Sequence, residues 1–189
     1  MKTLVTALLL TFGISSFAQV ETPQPSPNAN LTQVVGLSEV TIAYSRPSAR
    51  GRAIFGDLVP FDKKWRTGAN ENTLITFSED VEIGNQILVA GTYAIFSVPK
   101  EDSWDIYFYD KLDNWGLPKL WNEEAVAAMV NVPTQSLNHQ VETFTIGIGS
   151  IEMDKAHLQI SWEQTMVEVP INFPTDNQVM ESINQVMSG

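Results

Sequence analysis

The four arginines, Arg46, Arg50, Arg52 and Arg66, all fall between Tyr44 and Glu71, in the stretch YSRPSARGRAIFGDLVPFDKKWRTGANE. Lys63 and Lys64 join them, inside a chain with 22 acidic residues against 11 Lys and Arg and a formal net charge of −11. A guanidinium presents a planar fork of donors matched to a carboxylate or phosphate, and Trp65 beside Arg66 offers a flat face to a sugar ring. The stretch is long, rich in arginine, glycine and aromatic residues, and free of strand alternation, the profile of a working loop. Two readings stay open. Arg46, Arg52 and Arg66 line an anion or glycan site, or they pair with acids such as Glu71 and pin the loop over one end of the fold.

No strong catalytic signature accompanies them. The histidines are His139, expected in a loop, and His157, expected to face solvent, and neither has a partner at zinc-ligand spacing. A G-x-S-x-G elbow is absent, and Gly147-Ile148-Gly149 lacks the third glycine and the helix of a dinucleotide fingerprint. Glu79, Asp80 and Glu82, and Glu101, Asp102 and Asp105, cluster at turns without the calcium-loop pattern and read as solvated charges. No cofactor or metal is expected, and the acidity argues against a nucleic-acid partner, which needs a broad basic face.

Short alternating runs must hold the loop in place. Val40, Ile42 and Tyr44 share one face of a strand, as do Phe144, Ile146 and Ile148; Ala156, Leu158, Ile160 and Trp162; and Val167, Val169 and Ile171. Gly84-Asn85 has the composition of a two-residue hairpin turn, and Trp104, Ile106 and Phe108 follow a turn at Pro99 to Asp102. Glu123 to Val130 has helix-forming residues, yet Val126, Ala128, Val130 and Val132 alternate, and strand is the reading adopted. The expected fold is all-β, an antiparallel β-sandwich or flattened barrel over residues 31–174. A short amphipathic helix follows over 175–189, opened by Thr175 and Gln178 at capping-box spacing, and its Val179, Ile183 and Val186 stripe is expected to pack on the sandwich.

Ahead of the domain, Lys2, the apolar run Leu4 to Ile14 and Ser16-Phe17-Ala18 have the layout of a signal peptide over residues 1–18, cleaved after Ala18. The run is well short of the roughly 18 to 20 residues that span a bilayer. The expected location is therefore periplasmic or secreted, with no membrane insertion after cleavage. Residues 19–30, rich in proline and polar residues, read as a flexible linker. The chain has no cysteine, so no disulfide can brace it.

The blocks YSRPSARGRAIFGDLVPFDKKWRTGANENTLITFS, VAGTYAIFSVP, NWG and VETFTI resemble domain-of-unknown-function family 2911, found in secreted proteins of Bacteroidetes-type bacteria. The resemblance runs from about Val34 to Ile171. It implies an exported, all-β single domain without an established activity, and a strand over Val126 to Val132. The family's characteristic positions match at Ser45, Arg46, Pro47, Gly51, Arg52, Trp65, Arg66, Thr67, Gly68, Asn70 and Glu71, and at Trp115-Gly116; Lys119-Leu120-Trp121 departs from it. The leading expectation is an exported binding module for a small anionic or glycan-like ligand, with Arg46, Arg52, Trp65, Arg66, Thr67, Asn70, Glu71 and Trp115 as its site. An envelope assembly protein, using the terminal helix as interface, ranks second. A hydrolase or lyase ranks third, with Glu71 as base and Arg66 or Asn70 stabilising an oxyanion.

Overall fold

Alternating apolar residues generate a fold in which strands do nearly all the work. The computed structural model describes residues 22–189; the leader reading and the first residues of the linker lie outside them. Among the described residues, nine strands form one antiparallel sheet in the order β1-β2-β3-β6-β7-β8-β9-β4-β5, left unclosed. In chain order they are β1 (Asn28–Val35), β2 (Ser38–Ser45), β3 (Thr73–Phe77), β4 (Val81–Ile83), β5 (Gln86–Leu88), β6 (Gly91–Pro99), β7 (Ser103–Tyr109), β8 (Val126–Gly149) and β9 (Lys155–Asn172). The helix α1 (Thr175–Ser188) ends the chain.

Strand β8 is the hinge of the architecture. Its first part, Val126 to Pro133, pairs with β7, and from Thr134 onward it pairs with β9. The sheet therefore turns over along β8, and the two halves face each other across one core. Val40, Ile42, Ile75, Phe77, Ile95, Ile106 and Phe108 supply one side of that core; Phe144, Ile146, Leu158, Ile160, Trp162, Val167, Val169 and Ile171 supply the other. Each large apolar side chain so buried contributes about 1.5–3 kcal/mol, which lets the fold stand without disulfides.

Several expectations hold in detail. Gly84 and Asn85 sit at φ 57° and 63° between β4 and β5, as a type I′ hairpin requires. Val126 to Val132 is strand, entered through a single 3₁₀ turn at Glu123–Ala125.

Others change. The runs at Phe144 and at Val167 belong to two long strands of 24 and 18 residues, broken only by irregular pairing around Val141. His139 lies on β8 beside that irregularity, not in a separate loop, and His157 is half-buried on β9. The linker gives way to β1 at Asn28, and its preceding residues are docked: Pro27 O accepts from Arg46 N at 2.9 Å and Ser26 O from the Asn70 amide at 3.2 Å. In α1 the Thr175 hydroxyl donates to Met153 O at 2.9 Å, so the capping box does not form and Pro174 caps the helix without a side-chain bond. The stripe expected to pack is open: Val179, Ile183 and Val186 are 40%, 45% and 81% exposed.

Candidate functional site

Residues 46–72 cross from β2 to β3 over the end of the folded sheet, and each section of this crossing is pinned by backbone. Ala49 N donates to Glu142 O and Phe144 N to Pro47 O, both at 2.8 Å, which ties the first arginines to β8. Farther along, Trp65 exchanges backbone bonds with Ser97 of β6, 2.7 Å one way and 2.9 Å the other. The turn that follows needs left-handed backbone at Thr67 (φ 52°) and Asn70 (φ 58°). Buried hydroxyls hold it there: Thr67 Oγ1 donates to Ser97 Oγ at 2.9 Å, and Thr73 Oγ1 to Thr67 O at 2.6 Å.

These anchors leave an open cavity of about 340 Å³ walled by Pro25, Ser26, Pro47, Ser48, Leu58, Val59, Gly68 and Ala69, with Arg50, Arg52, Arg66, Trp65 and Trp162 among its lining. The two indoles stack, centroids 6.1 Å apart and planes 18° from parallel. Phe144, Trp104 and Phe55 pack edge-on around Trp65, and its Nε1 donates to Gly68 O at 3.2 Å, so the ring is fixed before any guest arrives.

The electrostatics of this cavity are one-sided. Among the described residues no acid lines it, and none of the four arginines lies within salt-bridge distance of a carboxylate. Neutral carbonyls take the guanidinium bonds instead. Arg52 donates to Ala49 O at 2.9 Å and Ser48 O at 2.7 Å, and Arg50 Nη2 to Pro25 O at 2.9 Å. Glu142 reaches the loop through the backbone N–H of Arg50, at 2.8 Å. Arg66 Nε is buried and has no hydrogen-bond partner among the described residues. A buried donor left without a partner costs about 1–3 kcal/mol. Carbonyl bonds orient a guanidinium without neutralising it, so the positive charge stays available to an anion, and charge-assisted bonds to an anion are roughly twice as strong as neutral ones.

Of the residues singled out from sequence, Arg52, Trp65 and Arg66 meet at the cavity, and the others do not. Arg46 turns to β8, donating to Phe144 O at 3.0 Å and Thr145 Oγ1 at 2.8 Å, where it ties the halves of the sheet together. Thr67 is buried and committed to the turn. Asn70 spends its amide on Ser26 O and Ser45 Oγ, both at 3.2 Å. Glu71 is exposed and borders a separate hollow with Asn28, Tyr44 and Leu74, whose lining does not include Arg66. The pairing of Glu71 with an arginine is not present, nor is a base placed beside the Arg66 donors. Trp115 is 70% exposed and outside the cavity lining; its neighbour Gly116 is the one that touches the site. Gly116 has φ 80°, its O accepts from Asn72 Nδ2 at 3.0 Å, and a Cβ there would stand 2.8 Å from Arg66 Nη1.

Sequence reasoning missed Trp162, Arg50 as a wall residue, and the Pro25-Ser26 segment. Trp162 carried no signal of its own, since it continues the Ala156, Leu158, Ile160 alternation of an ordinary core strand. It also missed the second anchor of the loop, where Lys64 Nζ sits 4.6 Å from the centroid of Trp121 and 5.7 Å from that of Tyr107. Trp121, in the stretch that departs from the family pattern, stacks on Tyr109 at 4.6 Å and closes a small outer cluster with Phe96. Lys64 and Trp65 thus fasten the loop to opposite faces of β6.

The profile of the family described as "Protein of unknown function (DUF2911)" matches residues 26–171, most of the chain. The chain belongs to the DUF2911 family. The match begins at Ser26, in the cavity wall, and ends at Ile171 in β9, so the DUF2911 region contains every cavity residue but Pro25 and excludes α1. No curated protein and no solved structure matches the chain. No helix among the described residues is long and apolar enough to cross a membrane.

Proposed function

We propose that this DUF2911 protein is an exported binding module whose arginine cavity takes a small anionic ligand with a ring face, the chemistry of a sugar acid. The observation that carries it is the gathering of Arg50, Arg52 and Arg66 around stacked Trp65 and Trp162 with no acid in the lining. The guanidinium forks supply bonds to a carboxylate, and Trp65, stacked on the buried Trp162, supplies the apolar floor for the ring. A few placed polar groups over an apolar floor, in a volume of this order, is the ordinary make-up of a small-molecule site. Export rests on the leader pattern at Lys2, Leu4 to Ile14 and Ser16-Phe17-Ala18.

Thermal unfolding with glucuronate, galacturonate, inorganic phosphate and neutral glucose tests it. The melting temperature should rise with the concentration of a sugar acid and not with glucose, and Arg52→Ala should keep the fold and lose the rise. An unchanged rise in Arg52→Ala, or none with any anion, contradicts the proposal. A second reading, an assembly protein of the envelope, draws on the exposed Val179, Ile183 and Val186 stripe of α1. A chain ending before Thr175 that keeps its oligomeric state removes that reading.

A further inference from the structure

We propose that β1 is a self-pairing edge, through which two copies of this chain join their sheets by antiparallel β1–β1 association. The direction of each backbone group in β1 follows from the pairing register. Arg46 N donates to Pro27 O, and that pair lies on the same register as Asn28↔Ser45. In an antiparallel ladder, hydrogen-bonded pairs alternate with non-bonded ones. Ala29, Leu31, Gln33 and Val35 therefore bond to β2, while Asn28, Asn30, Thr32 and Val34 aim their N–H and C=O away from the sheet. The 3.2 Å contact of the Thr32 and Thr41 hydroxyls fits, since side chains come closest at non-bonded pairs. Among the described residues β1 ends the strand order with β2 as its one neighbour, so no backbone group pairs with that outward row, and one of its members, Val34 O, takes a side-chain donor, Gln33 Nε2 at 2.9 Å.

Edges are normally blunted by lysine, proline, a bulge or short length. At the other end of this sheet β5 is three residues long. β1 is eight residues long, NANLTQVV, with an unbroken register and no charge, proline or glycine. Its lack of charge admits a second copy as the partner. Copies of a chain with a net charge of −11 repel each other over most of their surfaces, and an eight-residue stretch without a charge lets two copies approach. Antiparallel pairing makes the contact isologous, which closes at a dimer. A register with Asn28 opposite Val34 of the second copy, and Asn30 opposite its Thr32, pairs every outward backbone group on both strands, the exposed Gln33 amide giving up Val34 O to the partner. A single strand pair is a small interface, so the dimer should depend on concentration.

Thr32→Pro is the discriminating variant. Its N–H is outward, so proline removes a donor from the edge and none from the β1–β2 ladder. Sedimentation velocity over a concentration series should show the full-length protein moving from monomer to dimer, and Thr32→Pro staying monomeric with an unchanged far-UV spectrum. The double variant N30K/T32K, which charges the edge without touching the backbone, should also stay monomeric and decides the matter should the proline variant fail to fold. A wild-type chain that is monomeric at every concentration overturns the proposal. So does a dimer that persists in N30K/T32K, which would assign the interface elsewhere, α1 included.

Discussion

Two hollows on this molecule treat charge in opposite ways. In the cavity, Arg50 and Arg52 are oriented by neutral carbonyls and meet no acid. The larger groove of about 480 Å³ between β8, β9 and the β4–β5 turn is lined by two carboxylates, Glu82 and Glu168, and side chains already engage both oxygens of Glu168. Gln159 Nε2 donates to one carboxylate oxygen at 2.6 Å and Gln135 Nε2 to the other at 2.8 Å, while His157 Nδ1 stands 3.8 Å away, too far for a hydrogen bond. The two amides, Gln159 foremost, hold the Glu168 carboxyl below its ordinary value against the opposing effect of burial. Volume alone would favour the groove; unspent donors favour the cavity. Both groups bond uncharged partners, but each oxygen of Glu168 is engaged, whereas Arg50 is bonded through Nη2 alone and Arg52 through Nε and Nη2; the unspent guanidinium donors are the difference a ligand can use.

The comparison can be broken most severely at the cavity floor. Trp162 is 1% exposed, stacks on Trp65 and donates from Nε1 to Glu142 O at 3.1 Å. Trp162→Ala should cost about 3–5 kcal/mol in a urea titration and abolish ligand binding with it. Next in size is Arg50→Ala combined with Arg52→Ala, which touches only carbonyls of the protein itself. It should leave the urea midpoint nearly unchanged while weakening a sugar acid by about tenfold or more, since each hydrogen bond to a charged group contributes about 1.5–3 kcal/mol. Gly116→Ala should cost about 1 kcal/mol through its positive φ. The Cβ also meets the flexible end of Arg66, so affinity should fall further than stability.

The smallest effect sharpens the other side of the comparison. Because the folded Glu168 carboxyl titrates below its ordinary value of 4.5, its stabilisation is complete above that value and drains away as pH falls through the lowered one. Glu168→Gln should flatten the acid limb of stability against pH and leave sugar-acid binding near neutral pH untouched. Urea midpoints taken from neutral to acidic pH measure the first, and a titration near neutral pH the second.

Most of the fold was legible because burial on one face of a strand leaves a period of two in the sequence. Val40, Ile42 and Tyr44 show it, as do Leu158, Ile160 and Trp162. Where one strand ends and another begins was less so: Val126 to Val132 and the run at Phe144 read as separate strands, and they are parts of one, Val126 to Gly149, with irregular pairing around Val141. For the site, residue type pointed to the right loop and could not sort its members. Arg46 and Arg52 have the same chemistry in sequence; pairing with β8 sends one to Phe144 O, while the local turn keeps the other at the cavity. The family pattern at Trp115-Gly116 drew attention to the indole, whereas the geometry rests on the glycine, whose missing Cβ leaves no trace of its reason. Pro25 and Ser26 were read as linker because a segment held only through its carbonyls needs no particular side chains.

Isothermal titration calorimetry of glucuronate into the wild-type protein and into the Arg50→Ala, Arg52→Ala double variant tests the central claim, that guanidinium groups steered by carbonyls remain free to receive an anion. Saturable binding to the wild type, weakened at least about tenfold in a double variant that unfolds at the same urea concentration, is the predicted result. Equal affinity in the two proteins, or no heat with glucuronate or with inorganic phosphate, would contradict it.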